Sequence, residues 1–334
     1  MTSRPDFVAG NTRLRARLPA LLDRTEYDRL AGMPLEAARE RLAATLYRPQ
    51  LNAGDADAGL VLRAAGQRLC DLLRGVRGCY VGTAHSVVGV LLARHDLHDV
   101  LALLRGARAG QPAPRRLAAV LAVGVLDVRA AAELAAGDGP TTALRLAAQH
   151  LPDPVTARAL PAAWDRYELN ADDDELEATV ASTAIGGWTA ALSRVGRAAR
   201  PVLDLVRAEC DRANLLAVLR DPMRDPPRLL PPGLLTLPAL LAARDGDHTR
   251  VLAARPGWGA ALDRLPRHNE LTALEWDLNA ALWRQAVRDL RRGDPLGADV
   301  AVGYVVAAEC EARTVRLLLA GATAGHDLRD LLVA

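Results

Sequence analysis

The sequence predicts an all-α protein built from three copies of one helical unit. Its composition and an internal repeat both indicate this fold. Half of the 334 residues are hydrophobic, but only 3% are aromatic. Ala and Leu dominate, whereas isoleucine occurs once, at Ile185. Many strong helix formers with few aromatic or β-branched residues besides Val are typical of helical proteins, and no useful stretch alternates apolar and polar residues as a strand does.

Charge, cysteine content and apolar runs argue against several classes of protein. The 42 basic and 40 acidic residues give a net charge of +2 and are interspersed, so we expect no nucleic-acid partner. The four cysteines form no CxxC pair, which indicates reduced core residues of a cytosolic protein. The N-terminal residues lack the apolar segment of a secretory signal, and no apolar run approaches the about 20 residues of a membrane span. We therefore expect a soluble chain without a direct membrane span.

Three stretches of the chain align with one another without gaps. They are Ser86–Gly106, Pro201–Asp221 and Ala301–Gly321, at offsets of 115 and 100 residues. In the third stretch apolar residues recur at alternating spacings of four and three, from Ala301 to Leu319, as on one face of an α-helix. We therefore predict one long repeat helix in each copy. The offset is that of a small domain, whereas common helical arrays repeat every about 30 to 50 residues.

Polar residues recur in the same alignment, and we predict that they lie on a polar face of each repeat helix. An acidic residue stands at one shared position, a polar residue three positions later, and a basic residue near the end of two copies. These repeat markers are Asp96, Asp99 and Arg105 in the first copy, Asp211, Asn214 and Arg220 in the second, and Glu311, Arg313 and Thr314 in the third. Gly106 and Gly321 are predicted to end their helices, and the second copy stops at Asp221-Pro222.

Three further helices are predicted before each repeat helix. They are Leu18–Leu30, Pro34–Tyr47 and Leu60–Arg74, then Leu117–Ala135, Thr141–His150 and Glu175–Ala199, then Leu234–Ala243, Thr249–Arg255 and Glu270–Arg292. Joins rich in Pro and Gly at 110–114 and 221–232 separate the copies. The predicted units are therefore residues 1–114, 115–225 and 226–334.

The repeat segments resemble those of the C subunit of the V/A-type rotary ATPase, known as the d subunit in the eukaryotic vacuolar enzyme. The resemblance lies in Asp96–Gly106 (DLHDVLALLRG), in Asp211–Arg220 (DRANLLAVLR) and in Asp294–Gly325. It implies three pseudo-threefold-related helical bundles that form a funnel. It also implies a non-catalytic socket of the central stalk, at the cytoplasmic face of the membrane. The implied partners are the shaft subunits of D and F type and the membrane proteolipid ring, and the implied coupling is of ion transport to ATP hydrolysis or synthesis.

Two other functions remain as alternatives. The first is a helical-repeat adaptor that binds other proteins. The second is a helical metal-dependent lyase or synthase that uses Asp172, Asp173 and Glu175, an acidic run that also suits a helix N-terminus. His95 and His98, three residues apart, lack a second ligand cluster and are interpreted as surface histidines. We expect no catalytic residue, no metal site and no cofactor.

Overall fold

The computed structural model describes residues 6–51, 58–124, 126–150, 154–221, 229–264 and 271–328, and every regular element in these ranges is helical. The all-α prediction is confirmed. The helices as far as residue 170 are α1 Val8–Ala16, α2 Arg24–Leu30, α3 Leu35–Ala43, α4 Arg48–Leu51, α5 Ala58–Arg74, α6 Gly82–Arg108, α7 Ala113–Leu117, α8 Val128–Ala136, α9 Pro140–His150 and α10 Pro154–Asn170. Those that follow are α11 Asp173–Val195, α12 Arg200–Arg220, α13 Leu237–Arg244, α14 Thr249–Ala254, α15 Gly259–Leu262, α16 Leu271–Arg292 and α17 Asp299–Ala324.

The chain forms two compact units. The described residues of Met1–Val88 and Trp283–Ala334 make up the first, so segments from both ends of the chain fold together there. Gly89–Leu282 makes up the second. The predicted boundaries at 114 and 225 both fall within the second unit. Those boundaries and the funnel of three domains stay predictions.

The C-terminal halves of the three repeat helices are buried in three separate hydrophobic cores. The equivalent residues Val100, Leu215 and Val315 are at most 1% exposed. Val315 shares a core with side chains of α2 to α5, in the first compact unit. In the second unit Val100 shares a core with α8 to α11, and Leu215 shares one with α13 to α16. The three repeat helices therefore bury the same position against four other helices each, and in the first two copies these helices follow the repeat helix in the chain.

The predicted apolar stripe is buried along its whole length in α17 alone of the three repeat helices. From Ala301 to Leu319 every stripe residue is at most 3% exposed. In α6 the stripe residue Ser86 is exposed, and the buried side chains lie one position further along, at Val87 and Leu91. The N-terminal half of α17 also buries Val302 and Val306, the equivalents of Val87 and Leu91, so it is buried on more of its circumference than that of α6.

The two glycines predicted to end repeat helices lie inside them. Both helices continue past these positions, and α17 ends where Gly325 takes a left-handed φ of +72°. A Cβ atom on Gly106 would lie 2.8 Å from Cγ of Arg116. A Cβ atom on Gly321 would lie 2.8 Å from the carbonyl oxygen of His326. The prediction of terminators is therefore wrong, because these glycines permit close packing against the helix side.

Two predicted helices are broken where the chain enters a new helix. Leu117–Ala135 is not one helix, because α7 ends at its first residue and α8 begins only after Asp127. Leu18–Leu30 is likewise split into a 3₁₀ turn and α2, which begins after Asp23. Each Asp side chain accepts the N–H of the residue three positions later. Each of these N-caps begins a new helix inside a segment for which the spacing of apolar residues predicted one continuous helix.

The other predicted helices are present, with shifted ends. Pro34–Tyr47 ends at Ala43, and Glu175–Ala199 ends at Val195 because Gly196 takes a φ of +81°. Among the described helices, α1, α4, α10 and α15 were not predicted, and α7 meets a predicted helix only at Leu117. Residues 222–228 of the predicted join after the second copy, and Glu270 at the start of a predicted helix, lie outside the described residues.

Candidate functional site

The acidic position of the repeat is buried, so its predicted place on a polar helix face is wrong. Asp96 and Glu311 are 1% exposed, and Asp211 is fully buried. Each carboxylate accepts a hydrogen bond from the backbone N–H of a leucine in a turn between helices. The pairs are Leu126 N to Asp96 Oδ1 at 3.0 Å, Leu235 N to Asp211 Oδ1 at 2.9 Å, and Leu22 N to Glu311 Oε2 at 2.6 Å. We name this contact the acid clamp.

In all three acid clamps the leucine directly precedes the N-cap residue of a shorter helix. These N-cap residues are Asp127 before α8, Thr236 before α13 and Asp23 before α2. The first and second acids hold turns that follow them in the chain. The third acid, Glu311, holds a turn near the N-terminus, within the first compact unit. The third copy is therefore completed by the opposite end of the chain.

Glycine allows two of the turns to approach their acids closely. A Cβ atom on Gly124 would lie 2.2 Å from the carboxylate oxygens of Asp96. A Cβ atom on Gly233 would lie 2.5 Å from Oδ1 of Asp211 and 2.2 Å from the carbonyl oxygen of Arg207. Real Cβ atoms do not pack at such distances, so each position requires glycine in this arrangement. The third acid is a glutamate, whose side chain is one methylene longer.

The second polar position holds the same turns in the first two copies. Asp99 accepts the N–H groups of Leu121 at 2.9 Å and of Ala122 at 2.8 Å. These two bonds stabilise the turn at Ala122, whose φ of +50° is strained for a residue with a side chain. Asn214 both accepts the N–H and donates to the carbonyl oxygen of Leu230, at 2.8 and 3.1 Å.

The third copy uses its second polar position differently. Thr314 is 1% exposed, and its hydroxyl lies 4.0 Å from the sulfur of Cys310 on the same helix. Glu311 instead gains a second partner, because the Tyr47 hydroxyl donates to its Oε1 at 3.0 Å. The third clamp therefore joins α17 to two places in the N-terminal segment.

Burial and neighbouring charges set the electrostatics of the clamps. Burial raises the pKa of Asp99 to about 6, although its two backbone hydrogen bonds act in the opposite direction. Burial also raises the pKa of Glu311, against the effect of the Leu22 amide and the Tyr47 hydroxyl. Asp211 has a cationic partner, since Nε and Nη2 of Arg255 contact its Oδ2 at 2.9 and 2.6 Å.

The basic repeat markers do not share one role. Arg105 makes a two-pronged ion pair with Glu177, at 2.7 and 2.6 Å. Arg220 is exposed in the last turn of α12, where a cation is favoured by the helix dipole. Arg313 lies over the Trp283 ring, 5.2 Å from its centroid. The aligned acidic positions therefore share one structural role, whereas the arginines marked with them have three different roles.

Equivalent positions of the first two copies contact each other in the second compact unit. Arg94 on α6 and Glu209 on α12 stand at the same position of the repeat and form an ion pair. Their side chains are 11% and 32% exposed. The first two repeat helices therefore touch each other at equivalent positions of the repeat.

The acidic run considered as a metal site has protein partners. Asp172 is the N-cap of α11 and accepts the N–H of Glu175 at 3.0 Å. Asp173 pairs with Arg108, and the Glu175 carboxylate accepts from the side chain of Asn170 at 2.7 Å. The predicted use of this run as an acidic helix N-terminus agrees with these contacts.

The histidine pair His95 and His98 lies on α6. His95 is half-buried and His98 is exposed. In the part of the chain that the structure describes, no three His, Cys, Asp or Glu side chains are grouped so as to hold a metal ion.

A comparison with known families covers almost all of the chain. The model of the ATP synthase (C/AC39) subunit family matches residues 10–329, a range that contains all three acid clamps. The chain belongs to the ATP synthase C/AC39 subunit family. Two relatives of this C/AC39 chain are named as the C subunit of V-type ATP synthase and come from two strains of Thermus thermophilus. Each is 28% identical over 325 residues, covering 94% of this chain and 93% of the relative. The predicted family resemblance is confirmed.

No described helix of this C/AC39 chain is both long and apolar enough to cross a membrane.

Sequence reasoning found the acids of this C/AC39 chain but missed the turns that they hold. The turn segments read GVLD at 124–127, GLLT at 233–236 and ALLD at 20–23. Each is a small residue, a spacer, a leucine and an N-cap residue, so a search for this short pattern would have found them. The third segment lies at the other end of the chain from its acid, where a linear repeat does not place it.

Proposed function

We propose that this chain is a non-catalytic central-stalk subunit of a V/A-type ATPase, a socket that couples the rotating shaft to the membrane proteolipid ring. Its family membership and the names of its two relatives support an ATP synthase subunit. The structural observation that carries the mechanical role is the acid clamp, which recurs in all three copies and ties the N-terminal segment to the last repeat helix.

A coupling element must deform little when torque passes through it. Close-packed helices have low compressibility, and buried hydrogen-bonded networks fix one arrangement of the chain. The clamps place such bonds at the turns, which are the parts of a helical protein that bend most readily. A body braced at three equivalent turns suits the transmission of rotation.

In this role the chain lies at the cytoplasmic face of the membrane without a span of its own. Its partners are the D-type and F-type shaft subunits on one side and the proteolipid ring on the other. ATP is hydrolysed or made by other subunits, and the ion crosses the membrane elsewhere. Copies arranged around an axis would meet at equivalent positions, and the contact between Arg94 and Glu209 supports a socket of this kind.

Removal of the chain from its complex tests the coupling role. We expect membranes that lack it to lose ATP-driven ion transport, while the detached catalytic part still hydrolyses ATP. Restoring the wild-type chain should restore transport. Undiminished transport without the chain would refute the socket function.

Co-purification and metal titration separate the two alternatives. Shaft and ring subunits should come with the chain from native membranes, whereas an adaptor would bring other proteins and leave these behind. A lyase or synthase using Asp172, Asp173 and Glu175 would bind Mg²⁺, and Asp173→Ala would abolish that binding. We expect no Mg²⁺ affinity that depends on Asp173, because that carboxylate pairs with Arg108.

A further inference from the structure

The first compact unit contains an open groove of about 300 Å³ between the N-terminal segment and helices α16 and α17. Side chains of its floor include Leu21, Leu22, Trp283, Val287 and Cys310. Trp283 is 8% exposed, and the other four are half-buried. The floor is therefore apolar, and much of it remains open to a ligand.

Three arginines and one aspartate line the mouth of this groove. Arg284 and Arg291 are exposed on α16 and stand seven residues apart, which separates them by about 10 Å along the helix. Arg24 lies on the N-terminal segment and pairs with Asp28 at 3.0 Å. Within the described residues Arg284 and Arg291 form no ion pair. The mouth thus presents two cations without an ion-pair partner in the described part of the chain, Arg284 and Arg291, two helical turns apart.

We propose that this arginine-rimmed groove binds an acidic amphipathic helix of a neighbouring subunit in the rotary complex, an inference that rests on the function proposed above. Apolar side chains on one face of that helix fill the floor, and carboxylates two turns apart pair with Arg284 and Arg291. A phosphate or a lipid headgroup concentrates its charge at one point, which fits arginines this far apart less well.

The groove and the third acid clamp share a residue. The side chain of Leu22 lines the groove, while its backbone N–H donates to Glu311. A helix seated in the groove therefore packs against the segment that Glu311 holds. Docking of the neighbouring subunit reinforces the third clamp.

The test uses the V-type complex purified without this chain as the probe. The groove variant is Arg284→Glu/Arg291→Glu, and its matched control is Arg288→Glu/Arg292→Glu. The control changes the net charge equally on exposed residues of the same helix that do not line the groove. A second groove variant, Ala307→Phe, fills the floor without changing charge. We expect both groove variants to bind the complex at least about tenfold more weakly, and the control within about twofold of wild type.

Alkylation of Cys310 gives a direct measure of groove occupancy. Cys310 lines the groove, and the similarly half-buried Cys70 does not. Burial raises the pKa of the Cys310 thiol to about 11, which leaves little reactive thiolate at mildly alkaline pH. The alkylation reaction therefore needs long incubation times. We expect the complex to slow alkylation of Cys310, measured by peptide mass spectrometry, while Arg284→Glu/Arg291→Glu abolishes this protection.

The outcomes separate this inference from the proposed function. Equal affinity of wild type and both groove variants overturns the groove inference and leaves the socket function standing. Failure of the wild-type chain to bind the complex overturns both. Groove variants that bind the complex normally but lose binding to anionic-lipid vesicles would make the groove a lipid site, which contradicts a helix ligand.

Discussion

The first and second acid clamps hold similar turns with different charges. The first copy places two carboxylates, Asp96 and Asp99, three residues apart in the core. The second copy keeps the carboxylate of Asp211 but has the neutral Asn214 at the other position. It adds the guanidinium of Arg255, which reaches back to Asp211 from the end of α14.

This difference separates the backbone role of the clamp from its charge. In both copies the acceptors satisfy backbone N–H groups of an irregular turn, which would otherwise be buried without partners. Because the first copy holds two acids and the second an ion pair, we expect the first to respond to pH and the second to the loss of a partner.

The largest effect is expected from Arg255→Met. Asp211 is fully buried, and Arg255 is its cationic partner. Removing the guanidinium leaves a buried carboxylate without its counter-charge, so the free energy of unfolding should fall by about 3–5 kcal/mol in urea titrations. The matched control Arg250→Met replaces an exposed arginine of α14, the helix that Arg255 directly follows, and should change the free energy of unfolding by less than about 0.5 kcal/mol. Equal effects of the two variants would show that the ion pair contributes nothing.

Alanine at the two turn glycines should destabilise the copies unequally. At Gly233 the new Cβ meets a backbone carbonyl oxygen at 2.2 Å, whereas at Gly124 it meets side-chain atoms of Asp96 that can rotate. We expect Gly233→Ala to cost about 3 kcal/mol or more and Gly124→Ala about 1–2 kcal/mol. Gly186→Ala is the control, since its Cβ would meet nothing within 4 Å inside α11, and it should be neutral or stabilising. Urea unfolding of all three measures the order, and a reversed order at the turns would contradict this geometry.

Sequence patterns predicted the helical class and the repeat because both depend on many residues at regular spacings. Val100, Leu215 and Val315 show this, since one shared position is buried in three cores. The clamps were predicted as positions but not as contacts. The sequence of a helix does not show whether its acidic residue is buried or exposed. The backbone N–H groups that stabilise a buried carboxylate belong to a distant turn. For Glu311 that turn lies 289 residues away.

The pH response of the first copy should disappear in Asp99→Asn. The folded chain holds the Asp99 proton up to about pH 6, whereas the ordinary pKa is 3.8. Folding therefore takes up a proton between these values, and this group's contribution to stability is complete below about pH 4 and lost as the pH rises to about 6. That loss should be of order 1–3 kcal/mol. Chemical unfolding at several pH values should show a flatter decline for Asp99→Asn than for wild type, and identical profiles would contradict the raised pKa.

The smallest effect is expected at the basic marker shared by the first two copies. Arg105 is paired with Glu177, but its side chain is 54% exposed, so the pair is screened by solvent and Arg105→Gln should cost at most about 1 kcal/mol. Arg220, its equivalent, is exposed at a helix end, and Arg220→Gln should cost no more than about 0.5 kcal/mol. The difference between the two variants should shrink in about 1 M salt, because ions screen exposed pairs. A difference that survives high salt would mean that Arg105 stabilises the first copy through packing of its side chain on α11 rather than through its charge.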